Sequence, residues 1–356
     1  MDRSMTLPFK SAGARFLALF LLVAGGLAAT LFLILALLDP YGVSPLRLPI
    51  SRPMMDINQR YMYPQVARSG RFDSAVFGTS TLRLLDPEKL DAKFGGAFAN
   101  LAMNAATPWE QLQLASLMSR HTPGLRTVIL GLDAPWCEAD ADALAKRTTF
   151  RAFPESFYDD STVNDLVHFF NLKTLEITGR LLGYHLGRAT PRIRQDGYEN
   201  FLPPETDWTP AYAERLLWTG VNKPIVPVVP PYVLSPEEAR TLRFPAIDWL
   251  GAFASALPAA TRLILIFPPN HIAGQPIPGS RNDARERTCR EALLRKVGKR
   301  ASIIDMKFAN DLTRTDSNYW DSLHFRLPIA DEVLAMIHEA ISTDAPGGAY
   351  WRRLRP

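Results

Sequence analysis

The chain has 356 residues, 47% of them hydrophobic, with 40 Lys and Arg against 36 Asp and Glu. Such a length can bury a sizeable core in one large domain or two, and a charge balance this even, with its basic residues dispersed, gives no indication of a nucleic-acid partner. Cys137 and Cys289 are too few for a disulfide framework: they pair if the domain lies in an oxidising compartment, or they are two buried free thiols.

Residues 16–38 carry no charge. As a helix rising about 1.5 Å per residue they would span roughly 30 Å or slightly more, the thickness of a bilayer core, and a transmembrane helix is expected there. Arg3, Lys10 and Arg15 precede the run, which predicts a cytoplasmic tail over 1–15 and places everything after Asp39 across the inner membrane, in the periplasm or an equivalent extracytoplasmic space. A cleaved signal peptide is the competing reading. It fits less well, because the apolar run is longer than a usual signal core and no A-x-A site closes it. Pro40, Pro45, Pro49 and Pro53 then predict an extended stalk over 39–71 that lifts the domain off the membrane.

A domain is expected over 72–342. Residues 75–77 form a short apolar run ending at Gly78-Thr79-Ser80-Thr81, which predicts a buried strand and a turn with a hydroxyl at the strand's carboxyl end. A second run covers 97–102. Thr107-Pro108-Trp109-Glu110 reads as a helix start, with Thr107 as cap, Pro108 in the first helical position and Glu110 three residues beyond the cap; that helix should reach about Arg120. Residues 127–132 are a further strand, closed by Asp133. From about 134 to 257 the rhythm breaks into aromatic and proline clusters, and an insertion is expected there, with a helix over 163–182 capped from within Asp159-Asp160-Ser161-Thr162. Strands resume at 262–267, ending in Pro268-Pro269-Asn270-His271, and at 302–305, separated by a helix over about 280–297. A last helix is expected over about 328–341, followed by a solvated basic tail over 343–356 that carries Arg352, Arg353 and Arg355. This alternation predicts an α/β fold of three layers, a mainly parallel sheet flanked by helices.

Two distant pieces carry the chemistry. Ser80 at a strand end is only an alcohol and needs a base; the segment Trp320-Asp321-Ser322-Leu323-His324-Phe325 supplies an imidazole and a carboxylate three residues apart. Taken singly, each residue has a plain structural explanation: Ser80 as a helix cap, Asp321 as a turn residue, His324 as a surface histidine. Their combination favours a triad. His271 stands at the sheet edge where it would touch a substrate, or serves as a hydrogen-bonded structural histidine. Arg83 would meet an anionic substrate, or form a surface salt bridge. No His, Cys, Asp or Glu pair has zinc spacing and no glycine-rich phosphate loop occurs, so neither metal nor cofactor is expected.

With those residues in place, residues 72–135 and 261–342 resemble the SGNH, or GDSL-like, hydrolase superfamily. The likeness is to its membrane-anchored extracytoplasmic branch, which includes alginate O-acetylation and teichoic-acid D-alanylation proteins. Gly78-Thr79-Ser80 stands where that family has its nucleophile block, and Asp321-Ser322-Leu323-His324 where it has Asp-x-x-His. The resemblance implies Ser80 as nucleophile, His324 as general base and Asp321 as the group orienting it. It further implies oxyanion donors at Ala102, where the family has glycine, and near Asp133, where it has an amide. A carboxylate at Asp133 would repel an oxyanion, and Asn104 is the candidate to donate in its place. The activity implied is that of a serine esterase or O-acyltransferase on an extracytoplasmic polysaccharide, with an acyl donor supplied by a membrane partner. A non-catalytic binding or assembly protein on the same fold is the alternative.

Overall fold

A computed structural model describes residues 12–355 of the chain; Arg3 and Lys10 of the basic flank lie outside the described residues. The sheet contains β1 (Ser74–Phe77), β2 (Phe98–Asn100), β3 (Thr127–Gly131), β4 (Arg262–Phe267), β5 (Ala301–Asp305) and β6 (Arg352–Leu354), in the spatial order β2-β1-β3-β4-β5-β6. Every neighbouring pair is parallel except β5 with β6. The longer helices, in chain order, are α1 (Ala12–Leu38), α2 (Gln59–Ala67), α3 (Pro87–Phe94), α4 (Pro108–His121), α5 (Leu172–His185), α6 (Pro210–Leu217), α7 (Pro245–Ala256), α8 (Arg281–Val297) and α9 (Leu327–Ser342).

The central strands are apolar along their whole length because helices cover both faces of the sheet. Ala75, Phe77, Val128, Leu130, Leu263 and Leu265 point into a core that also holds side chains of α2, α4, α7 and α8. Their neighbours Val76, Ile129, Ile264 and Ile266 point into the opposite core, against α3 and α9. The strand order reverses between β1 and β3, since β2 lies on the far side of β1. In an open α/β sheet ligands usually bind outside the carboxyl ends of the strands at such a switch point, here those of β1 and β3.

Local rules place several elements where expected. Thr107 and Glu110 form a reciprocal capping box at the start of α4, and Ser280 caps α8 through the Asp283 N–H. Helix α1 is long and apolar enough to cross a membrane, with most of its side chains exposed.

Four expectations are corrected. Residues 39–71 are not an extended stalk: Tyr41, Val43, Met54, Met55, Met62 and Tyr63 are buried in the domain core. Apolar residues spaced irregularly among the prolines drive that packing, and Arg60 locks it. Arg60 forks onto Glu110 of α4 (Nε–Oε1 2.9 Å, Nη2–Oε2 2.6 Å), both side chains fully buried. The helix expected over 163–182 is split into a 3-10 turn, Asn164–Phe169, and α5, whose cap is Asn171 rather than the Asp159 to Thr162 cluster. The insertion also ends earlier than about 257, because α7 packs with α4 and α8 as an ordinary sheet-flanking helix. Finally, the basic tail returns as the edge strand β6, with Arg353 paired to Ile304 in the ladder.

The two cysteines are joined, Cys137 to Cys289, with 5.6 Å between their Cα atoms, so the loop after β3 is tied to α8 across 152 residues of sequence. A disulfide typically stabilises a fold by about 2–4 kcal/mol.

Removing one partner of a buried ion pair strands the other charge. Arg60→Ala should therefore destabilise the full-length chain by about 3–5 kcal/mol in urea unfolding. An unchanged midpoint would mean that residues 39–71 are detachable from the domain.

Candidate functional site

Ser80 leaves the sheet at the carboxyl end of β1 and opens the 3-10 turn Ser80–Leu82. Gly78 just before it has φ 155°, a conformation that disfavours side chains. Beneath the turn lies Gly131 at the end of β3, where a Cβ would sit 2.7 Å from Leu82 Cδ1. A side chain there would force Leu82 to shift.

The turn is held from β3 by Asp133. Thr79 Oγ1 donates to Asp133 Oδ2 at 2.6 Å, and Thr81 Oγ1 lies 3.2 Å from both carboxylate oxygens. Thus the two hydroxyls flanking Ser80 in sequence are both fastened to one carboxylate. Burial pushes the Asp133 pKa up, while the hydrogen bonds from Thr79 and Thr81 work against that rise. Its oxygens face the two threonines, so Asp133 acts as a clamp on the turn.

The partner loop comes from the far end of the domain. Tyr319 and Phe325 bridge, Trp320 N–H donates to His324 O at 2.9 Å, and Asp321 Oδ1 accepts the N–H groups of Leu323 and His324 at 2.8 and 2.9 Å. In this tight turn the second carboxylate oxygen, Oδ2, is left facing the imidazole at 2.7 Å from Nδ1. The carboxylate accepts from Nδ1–H, so Nε2 carries the lone pair and accepts from the Ser80 hydroxyl at 2.7 Å. Burial opposes ionisation of Asp321, but the hydrogen bonds and charge of His324, with the two backbone N–H groups, hold its pKa below the ordinary value. The structure thus brings Ser80, His324 and Asp321 into one hydrogen-bonded chain. Ser80, His324 and Asp321 all keep some exposure to solvent, so the chain is open to a substrate.

The remaining site residues divide. Ala102 N–H, fully buried, donates to Asn100 Oδ1 at 3.1 Å and is thereby spent within the loop. Asn104 follows a segment whose amides bond to β1 and its turn (Leu101 N–H to Val76 O, Met103 N–H to Gly78 O), so it continues past the carboxyl end of β1. Its side-chain oxygen accepts from Arg83 Nη1 at 2.7 Å. Because a guanidinium only donates, the amide must turn its oxygen to Arg83 and keep its NH2 for another acceptor. Ala105 next to it has φ 50°, a left-handed conformation that costs a non-glycine residue about 1–2 kcal/mol. Such strain is typical of a loop shaped by function.

His271 does not face the site: it is fully buried, Nε2 lies 3.2 Å from Asp316 Oδ1, and Nδ1 accepts from Ala273 N–H at 3.2 Å. Trp218 and Tyr319 close over it edge-on, and burial lowers its pKa despite the Asp316 carboxylate. Its backbone N–H donates to Ser322 O at 3.1 Å, pinning the Asp321–His324 loop to the end of β4. Arg83 is likewise not on the surface. It is buried, ion-paired with Glu199, and lies over the Phe201 ring at 4.7 Å; Phe201 in turn meets the His324 ring edge-on at 5.5 Å. Sequence reading missed Thr79, Thr81 and Phe201. The hydroxyls on either side of Ser80 were a readable signal for the first two; nothing local marks Phe201.

Among the described residues, no group of three or more His, Cys, Asp or Glu side chains is placed to hold a metal ion. A cavity of about 710 Å³ opens near the ends of β4 and β5, lined by Trp218, Arg290, Asp305 and Lys307 among others, but neither Ser80 nor His324 borders it.

Asp133→Ala would leave two mostly buried hydroxyls without an acceptor. It should cost about 1–3 kcal/mol in urea unfolding, more than Asp133→Asn, which keeps an acceptor. Equal stability of all three chains would rule out the clamp.

No protein-family model matches the sequence and no curated protein matches it significantly, so the family resemblance rests on the motifs and the geometry around them.

Proposed function

We propose that the protein is a membrane-anchored serine esterase or O-acyltransferase of the SGNH type, with Ser80 as nucleophile, His324 as general base and Asp321 as its orienting carboxylate. The single observation that carries this reading is the continuous chain from Ser80 Oγ through His324 to Asp321, each link 2.7 Å long. An incidental surface histidine has no reason to sit between a strand-end serine and a carboxylate with the tautomer already set.

In this mechanism Ser80 Oγ attacks the acyl carbon of an ester while its proton passes to His324 Nε2. The imidazolium is stabilised by Asp321. Negative charge gathers on the former carbonyl oxygen, and the Asn104 NH2, turned by Arg83, together with the Ser80 N–H at the start of its helical turn, are the donors for it. The intermediate collapses as the ester C–O bond breaks, and His324 returns the proton to the leaving alcohol. An acyl-Ser80 remains. Water or a sugar hydroxyl, deprotonated by His324, then attacks that acyl group and restores Ser80.

An apolar span preceded by Arg3, Lys10 and Arg15 supports a cytoplasmic amino terminus, with the domain on the far side of an inner membrane. The Cys137–Cys289 bond suits an oxidising compartment. An extracytoplasmic polysaccharide as acceptor and a membrane protein as source of the acyl donor are the substrate and partner that the resemblance implies.

The test is hydrolysis of p-nitrophenyl acetate and of an acetylated glycan by the full-length chain beside Ser80→Ala, His324→Ala and Asn104→Ala. Loss of either triad residue should lower kcat by about 10³-fold or more, and loss of Asn104 by about 10²–10³-fold. Equal rates in all four proteins would instead favour a non-catalytic binding or assembly role.

A further inference from the structure

Helix α1 does not meet the domain only at its end. Phe32 stacks on Phe170 with ring centroids 4.9 Å apart and planes 6° from parallel, and it meets Phe169 edge-on at 6.4 Å. Leu31 and Leu35 of α1 share a surface hollow with Phe169, Phe170, Leu172 and Leu175. The segment from the 3-10 turn Asn164–Phe169 into α5 therefore lies against the last turns of the apolar helix.

That contact fixes a depth. The uncharged run begins after Arg15, and the rise from Arg15 to Phe32 at roughly 1.5 Å per residue is about 26 Å. A hydrocarbon core about 30 Å thick therefore extends past Phe32 to about Leu35, and any tilt of the helix carries it further along the chain. Phe170, stacked on Phe32, falls inside that slab. The exposed side chains around it have the chemistry for such a place: Phe170 is 62% exposed and Leu172 84% exposed, with Val163 and Val167 also exposed on the preceding turn. At the end of α1, Leu48 N–H donates to Leu37 O at 2.8 Å, which puts exposed Leu46 and Leu48 at the edge of that slab. Exposed Arg47, and Lys173, half exposed and ion-paired with Asp56 and Glu176, adjoin the apolar side chains in sequence, at the level where a headgroup boundary would lie.

We propose that this apolar collar, centred on Val163, Val167, Phe170 and Leu172, is embedded in the bilayer leaflet through which the carboxyl end of α1 leaves the membrane. The proposal rests on reading α1 as a membrane span. It commits to lipid as the occupant because the collar is continuous with the exposed surface of α1, at a depth already within hydrocarbon. With the collar seated, the domain rides directly on the membrane surface, where a substrate or acyl donor held in lipid can approach it.

The native cysteines are paired, so a single added thiol is the unique labelling position. Full-length chains carrying Val167→Cys, Phe170→Cys, Leu172→Cys, Leu22→Cys on the open face of α1, or Val233→Cys on a remote exposed loop are spin-labelled in phosphatidylcholine nanodiscs. Accessibility to oxygen and to a water-soluble nickel chelate is then read by power saturation. The collar labels should match Leu22, with an oxygen-to-nickel ratio severalfold above that of Val233. Collar labels as water-exposed as Val233, with Leu22 in lipid, would overturn the collar and leave the span intact; a water-exposed Leu22 would overturn the span and the collar together. Dipolar broadening between collar labels would mean that a second copy covers the patch, and would also overturn the proposal. The Val167 and Leu172 labels keep the test valid if loss of the Phe170 ring disturbs its stack.

Discussion

The hydrogen bond between Ser80 and His324 joins residues 244 apart in sequence, and the surrounding structure is arranged to hold its two ends still. On one side, Gly131 makes room for Leu82 and Asp133 fastens the hydroxyls before and after Ser80. On the other, Asp321 spends one oxygen on the backbone of its own turn and the other on the imidazole. Both supports issue from strand ends: Asp133 from β3, and the His271 N–H that holds Ser322 from just beyond β4. A rigid sheet thus sets a distance that neither loop would keep alone.

Asp133 has the wrong charge for an oxyanion donor and a suitable one for a clamp. A carboxylate can accept from both threonine hydroxyls at once, whereas the amide of the resembled family would bring donors of its own. In the proposed mechanism the donor function passes to the neighbouring loop. Asn104 is fixed there by Arg83, and Arg60 reaches the Asn104 carbonyl at 3.2 Å while holding Glu110. The segment 39–71 is therefore tied to the candidate site, and the apolar helix α1 that precedes it is mechanically connected to that site through it.

What the sequence made legible follows from where the controlling interactions are local. The strand Arg262–Phe267 and the Thr107–Glu110 capping box are readable because a buried parallel strand needs a continuous apolar run and a cap needs fixed spacing. The Ser80 and Asp321–His324 pieces were recognisable as motifs, since each is a single tight turn. Elsewhere the deciding partner is remote. Tyr41 and Tyr63 are buried by α5 and by the Gly197 carbonyl, more than a hundred residues away, so prolines alone suggested a stalk. His271 is sealed by Trp218 and Tyr319 from other parts of the chain. The tail becomes a strand only because β5 offers it an open edge.

The account stands on Ser80 being a nucleophile activated by His324 and Asp321. The most direct measurement is mass spectrometry of the full-length chain after exposure to a fluorophosphonate, which bonds covalently only to an activated serine. The account predicts one adduct, on the peptide containing Ser80, lost in His324→Ala although the serine is still present. An unmodified chain, or an adduct that persists without the imidazole, would contradict it.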